Sequence, residues 1–479
     1  CNKFLDKLPD TRTELNSVAK VRALLATAYP QAAYEKIAEL MSDNAQDKGP
    51  ASGTDLMDQT YFTFGDFISD EQTQDGTVQY WSACYTAIAA ANAALDAIEK
   101  APNPQDYSAE KGEALVCRAY SHFMLTTLFA KPYDMATSGS DAGIPYVLTP
   151  ETKVFQNYTR GTVKEDYDNI EKDLLEGLPL INDNIYTVPK YHFTNVASNA
   201  FAARFFLYKK DYQKSLDYAN KVFPPTAIVQ NMRPWLTTYK TFSFNEFNQN
   251  YTKATENANL LLIECPSLWA RSYYGSRYGF RPDMYSGVFF TNSNPAAISP
   301  GRWAQSTYVY IISGQQNYAI PKWNEYFYAP DNPNYGYPYV MTPVLTTEEV
   351  IFNRAEANIY LGDFTSALKD MNLYVSQRVT GYTTADNITE AKAKTYAATE
   401  DTKTALIQSL LYLKRIEYIQ EGMRWFDVLR YNIPVIHKEL DVNLNTLRTN
   451  TLSENDGRRQ WQIPQAAQNA SKLAPNPRP

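Results

Sequence analysis

Few residues of this sequence are arranged for catalysis. Its three histidines, His122, His192 and His437, lie far apart on separate segments. No HExxH, GxSxG, GxGxxG or phosphate-loop pattern occurs, so metal-assisted hydrolysis, serine-type acyl transfer and nucleotide chemistry lack their usual parts. A glycosidase needs only two well-placed carboxylates, but Glu264 and Asp283 sit in no pattern that pairs an acid with a base. Cys84, Cys117 and Cys265 form no CxxC and no metal-ligand spacing. Cys84 and Cys117 fall on apolar helix faces, as buried thiols do. The expectation is a protein that is not an enzyme and uses neither cofactor nor metal.

The chemistry held in excess is that of aromatic rings. The chain contains 37 Tyr, 22 Phe and 7 Trp, 14% of its residues. That is more tyrosine than a core requires, because each hydroxyl needs water or a partner. Between Cys265 and Tyr339, 19 of 75 residues are aromatic and eight are proline, which marks a loop-rich region. Sugar rings offer an apolar CH face to an aromatic plane and a hydroxyl rim to Asn, Asp, Gln and Arg. Each ring contact contributes about 0.5–1.5 kcal/mol beyond area burial. Two or three of them with hydrogen bonds correspond to a Kd between roughly 1 mM and 1 µM. A peptide suits the same kind of groove.

Trp269, Tyr273, Tyr274, Tyr278 and Trp303 are the leading ligand contacts, lying among Gly275, Gly279 and Gly301. Tyr61 and Asp75, in the polar stretch before the helix of Trp81, are further candidates. The plainer role for any one of these rings is to pack the loops onto helices, which is how Trp323, beside Pro321 and Lys322, reads.

The elements that must position these rings are helical on both flanks. Apolar spacing predicts helices over 18–41, 77–100 and 109–129, the last stopped by Pro132. Thr162 with Glu165, and Thr346 with Glu349, form capping boxes that open helices ending before Pro179 and at Leu361. Thr194 caps a helix over 196–209, and a long helix covers 404–431. Ala203 to Tyr212, followed by Ser215 and Leu216, aligns with Ala355 to Phe364, followed by Ala367 and Leu368. Both read as tetratricopeptide-type helical hairpins. Between them the helical period disappears, with short strands at 259–265 and 308–312. The fold class expected is mainly α: a tetratricopeptide-like helical-repeat superhelix with an inserted loop-rich ligand region containing short strands. The chain divides into a helical scaffold (1–223), an aromatic insertion (224–345) and helical hairpins with a tail (346–479), forming one unit.

With 479 residues and 44% apolar content the chain buries a substantial core. Its net charge of -7 is spread along the sequence, and no Lys/Arg-rich stretch offers a nucleic-acid footprint. No run of about 18 apolar residues spans a bilayer. Cys1 stands where a processed bacterial lipoprotein carries its lipidated cysteine, so membrane attachment through lipid on Cys1 is expected.

At six places in order the sequence resembles one family. Cys1-Asn-Lys-Phe-Leu-Asp6-Lys-Leu-Pro9 is similar to the N-terminus of SusD/RagB lipoproteins. Trp81-x-x-x-Tyr85-x-x-Ile88-x-x-x-Asn92 is similar to their early helix, and Arg118-Ala119-Tyr120-x-x-Phe123 to their RAxxxF helix. Arg354-Ala355-Glu356-Ala357 resembles the later AEA helix. Arg415-Ile-Glu417 through Glu421-Gly422-Met-Arg424-Trp425-Phe426-Asp427 resembles the closing RxE–EGxRWFDL signature, and Gln462-Ile463-Pro464 with Asn476-Pro477 its IP and NP pieces. Val428 replaces the usual Leu, and Ala466-Ala467 stand where a glutamate is common; both affect packing of the tail alone. The charged cluster Arg415, Glu417, Glu421, Arg424 and Asp427 reads as a structural ion-pair network.

The resemblance implies a SusD-like fold on the extracellular face of the outer membrane of Bacteroidetes-type bacteria. It also implies a SusC-like TonB-dependent β-barrel transporter as partner, to which captured glycan is delivered. The alternatives left open are a peptide-capturing receptor of the same family and a helical-repeat scaffold for protein interaction.

Overall fold

The computed structural model of the protein describes residues 14–66, 73–151, 157–311, 316–332 and 335–479. Cys1 and the Cys1–Pro9 segment lie outside the described residues, as does Ile312. The chain is mainly α-helical, in antiparallel helix pairs. Thr77–Glu99 packs against Ser108–Phe129, which in turn packs against Val163–Gly177. The last of these opens on the capping box predicted from Thr162 and Glu165.

The two self-similar segments both form helical hairpins. Asn195–Tyr208 turns into Tyr212–Val222, and Thr347–Leu361 into Phe364–Ser376. In each, an aspartate side chain caps the second helix: Asp211 accepts from the Lys214 amide and Asp363 from the Ser366 amide. This meets the orphan N–H groups of a helix start. The hairpins are far apart in sequence yet stack directly, with the rings of Tyr212 and Tyr360 parallel at 4.1 Å. The superhelix interrupted in sequence is continuous in space.

Three predicted features differ. The helix expected over 18–41 is two helices, Val18–Leu25 and Glu35–Met41, because Pro30 has no N–H to donate and its ring obstructs the preceding turn. The helix expected over 404–431 is Thr402–Glu417 and Met423–Arg430, broken where Gln420 and Gly422 adopt φ of 67° and 72°. A Cβ on Gly422 would lie 2.8 Å from the Glu35 Cα, so only glycine lets these backbones approach. The Thr346 capping box is half made. The Thr346 hydroxyl accepts from the Glu349 amide, but the Glu349 carboxylate is drawn to Arg204 instead.

The insertion is more ordered than its sequence indicates. Asn259–Pro266 pairs antiparallel with Tyr335–Thr346, which pairs antiparallel with Tyr326–Asn332, giving a three-stranded sheet with the 335–346 strand in the centre. Of the strand expected at 308–312, Tyr310–Ile311 pairs with Tyr318–Ala319, while Tyr308 ends a 3-10 turn that begins at Ala304. A further hairpin, Val435–Leu440 with Thr446–Leu452, follows the last long helices.

The described residues form two hydrophobic cores. One is built on the N-terminal helices and the sheet. In the other, insertion rings such as Trp235, Tyr251, Phe280 and Trp303 pack with Phe352, Tyr374 and Ile416 of the C-terminal helices. Much of the aromatic excess is therefore core.

Candidate ligand-binding surface

The predicted contact residues mostly face inward, which corrects the picture of a solvent-facing crest built from them. Trp269 is 1% exposed, and its indole N–H donates to the Gln420 carbonyl. Tyr273 is buried beside it. Tyr278 is buried and stacks on Phe62 with centroids 4.3 Å apart. Trp303 is buried, its backbone bridged to Val379 and its ring against Tyr412. Tyr61 is buried and its hydroxyl accepts from the Thr77 amide at 3.2 Å. Asp75 is buried and accepts from the Leu268 amide at 2.8 Å. Tyr274 alone is half-buried, edge-on to Tyr273, while its carbonyl accepts from the Lys48 ammonium at 3.0 Å. These residues pin the insertion to the scaffold because large rings and a buried carboxylate gain most where water is excluded and hydrogen bonds are met.

The rings left to solvent are on the sheet. Tyr326 opposes Tyr339 and Tyr328 opposes Tyr337 across the 326–332 and 335–346 strands. Directly opposed residues of an antiparallel pair share a face, and strand residues alternate faces with period two. The four tyrosines therefore lie on one face. Tyr328 and Tyr337 are each 60% exposed, Tyr326 is exposed and Tyr339 is half-buried. The same face continues onto the 259–266 strand, where Pro266 opposes Tyr339 and Glu264 opposes Met341. Glu264 is the exposed residue in an otherwise buried run. The opposite face carries Val340, Thr342, Ile263 and Cys265 into the core.

Tyr191 borders this platform. Partial burial, with Tyr326 and Glu264 nearby, pushes its hydroxyl above the ordinary tyrosine value, so it is a neutral hydrogen-bond donor at physiological pH. On the reverse of the hairpin, Phe327 lies under the Arg271 guanidinium, 5.6 Å from ring centroid to charge, and Arg271 is paired with Glu325. The platform thus offers flat apolar rings, hydroxyls that donate or accept, and one carboxylate acceptor.

None of these six residues was singled out from sequence as a contact. The signal was present as tyrosine at every second position, 326 and 328, then 335, 337 and 339, which is the spacing of one strand face.

Two histidines and the charged cluster of the closing signature have structural roles. His122 bonds the Arg118 carbonyl and the Val147 amide, and burial holds its pKa down to about 3, so it stays neutral. His437 bonds two backbone carbonyls and stacks on Phe62. The charged cluster of the closing signature is a network, though it reaches outward from its own helices. Glu417 and Glu348 grip buried Arg378, Glu421 pairs with Lys322, and Arg415 and Arg424 both reach Asp43. Burial pushes the Glu417 carboxyl up, but adjacent Arg378 outweighs burial and holds it at about 2. Among the described residues no group of His, Cys, Asp and Glu is placed to hold a metal ion, and no helix is long and apolar enough to cross a membrane.

Comparison with known proteins agrees with this architecture. Residues 3–207 match the SusD-like family model described as "Starch-binding associating with outer membrane". Residues 301–477 match the SusD family model. A SusD superfamily protein from Bacteroides thetaiotaomicron superposes with a TM-score of 0.70 at 18% identity, covering 96% of this chain and 100% of its own. A protein from Bacteroides vulgatus described as sugar binding gives 0.71 at 20% identity, with 97% and 99% covered. A SusD-like carbohydrate binding protein from the same species gives 0.65 at 14%, with 96% and 97% covered. No curated protein matches the chain. Its two family matches, at opposite ends of a shared and nearly complete fold, make this chain a member of the SusD/RagB family.

Proposed function

We propose that the protein is a lipid-anchored glycan receptor on the extracellular face of a bacterial outer membrane, passing captured oligo- or polysaccharide to a SusC-like TonB-dependent β-barrel. The observation that carries the reading is the platform of Tyr326, Tyr328, Tyr337 and Tyr339 bordered by Tyr191 and Glu264, on a sheet whose other face is core at Val340, Thr342, Ile263 and Cys265. The relatives named as sugar or carbohydrate binding support the ligand class. The family description as starch-binding and outer-membrane-associated supports the location. Insertion 224–345 is then the ligand-bearing segment, Cys1 is the lipid attachment point, and the protein captures without cleaving. Three or four stacked rings with hydroxyl contacts correspond to a Kd between about 1 mM and 1 µM, suited to capture and release.

A peptide ligand is the second reading, favoured by one feature. Among the described residues the 326–332 strand is the outer strand of its sheet, with no strand on its other edge, where an extended chain would pair. The test is electrophoresis through gels containing individual polysaccharides, with wild type beside Tyr328→Ala/Tyr337→Ala. Retardation of wild type by at least one glycan, lost in the double variant, is expected. Retardation unchanged by the substitutions would remove the platform from the mechanism. Release of new reducing ends on incubation would overturn the non-catalytic role.

A further inference from the structure

A concave surface lies on the helical scaffold, lined by no residue of the insertion. It is a cleft of about 880 Å³ between the stacked hairpins, the 131–141 segment and the C-terminal tail. Tyr133, Tyr208, Tyr212, Tyr360 and Tyr431 line it. Tyr133, Tyr212, Tyr360 and Tyr431 are half-buried. Tyr208 is more than nine-tenths buried, and its hydroxyl has no hydrogen-bond partner among the described residues.

The charge pattern of the cleft narrows what it takes. Lys131 pairs with Asp141 at 2.6 Å, Lys210 with Asp134 at 2.8 Å and Arg430 with Glu356 at 2.5 Å. Arg478 pairs with Asp66, and Asp456 with Arg458. Arg459 is held by the carbonyls of Val428, Ile433 and Ser453. With these lining charges, Arg459 aside, each matched to an opposite charge, an ionic ligand would displace a partner at those positions and gain little there. A neutral ligand with an apolar face and many hydroxyls meets rings, a waiting tyrosine hydroxyl and polar Asn432, Asn455 and Gln460.

We propose that this cleft is a second binding site for a neutral oligosaccharide, separate from the sheet platform. Its volume has room for about three or four sugar rings, within the range of ordinary ligand clefts. Tyr133 and Tyr212 stack on the sugar faces, and the Tyr208 hydroxyl bonds a ring hydroxyl at the floor. The ligand class is shared with the glycan reading above; the location rests on the cleft alone.

The test is isothermal titration of the full chain with maltohexaose, xylohexaose and mannohexaose, using four proteins: wild type, Tyr328→Ala/Tyr337→Ala, Tyr133→Ala/Tyr212→Ala, and Tyr208→Phe. The wild type is expected to take up two equivalents of at least one sugar. The platform variant keeps one equivalent, and the cleft variant loses the other. In Tyr208→Phe, which keeps the ring and hence the fold, the cleft equivalent weakens about three- to tenfold, the worth of one hydrogen bond. A platform variant with no residual binding, or a Tyr208→Phe titration identical to wild type, overturns the cleft site and leaves the platform standing. A platform variant that binds as wild type while the cleft variants lose all binding supports the cleft and overturns the platform. Absence of binding in all four overturns both.

Discussion

Arg204 of the first helical hairpin grips Glu349 of the second with a two-pronged ion pair, across 145 residues of sequence. Both side chains are buried, and the same guanidinium donates to the Val344 carbonyl at the end of the central sheet strand. One side chain thus joins two repeats and the platform strand. Arg204→Ala leaves a buried carboxylate without its partner and should lower stability by about 3–5 kcal/mol in urea titration. Arg204→Met with Glu349→Leu removes both charges and should recover most of that loss. Equal destabilisation by the single and double variants would mean that the loss does not come from the orphaned Glu349 carboxylate.

Glu35 is buried and, among the described residues, neither carboxylate oxygen has a hydrogen-bond partner. Burial, with Asp75 and Glu421 adding to it, raises its pKa to about 8. The unfolded chain releases that proton near 4.5, so from pH 4.5 to 8 the folded state binds more protons than the unfolded state. The Glu35 contribution to stability therefore falls as pH rises through that window. Glu35→Gln should gain thermal stability relative to wild type between pH 5 and pH 8. A difference in Tm that stays constant across that range would show that Glu35 does not titrate there.

Gly422 holds a left-handed φ and lies where a Cβ would meet Glu35 backbone atoms at 2.8 and 2.9 Å. Gly422→Ala combines strain with overlap against backbone that cannot step aside, and a loss of about 2–4 kcal/mol is expected by chemical denaturation. A loss below 1 kcal/mol would mean the two helices are free to move apart.

Trp269 and Tyr328, both aromatic residues of the insertion, should behave oppositely. Trp269→Ala empties a buried site and should cost about 3–5 kcal/mol of stability. Tyr328→Ala, at an exposed strand position, should move Tm by less than about 2 °C yet weaken glycan binding about three- to tenfold. Calorimetry and affinity electrophoresis on the two proteins separate the roles.

The scaffold was legible in sequence because its signals are local. A capping threonine and a glutamate three residues on fix a helix start wherever the helix lies, and Asp211 and Asp363 mark two hairpins of the same design. The breaks at Pro30 and Gly422 were missed where continuous apolar spacing outweighed single-residue punctuation. Ring exposure in the insertion was not legible from composition, since distant partners decide it. Trp269 is covered by Gln420, and the Tyr251 hydroxyl by Glu421, 151 and 170 residues away. The platform tyrosines were readable only through their alternation, which strand pairing converts into a face.

Thr346 is at once the last residue of the central strand and the cap of the helix that begins at Thr347. No slack separates the surface that would hold a polymer from the helical stack behind it. Tension on a long chain caught at Tyr328 and Tyr337 passes along the strand into the helix axis as a pull on a rigid rod. On the proposed role, the platform would turn with the helical stack, and whatever orients the stack would aim a captured chain.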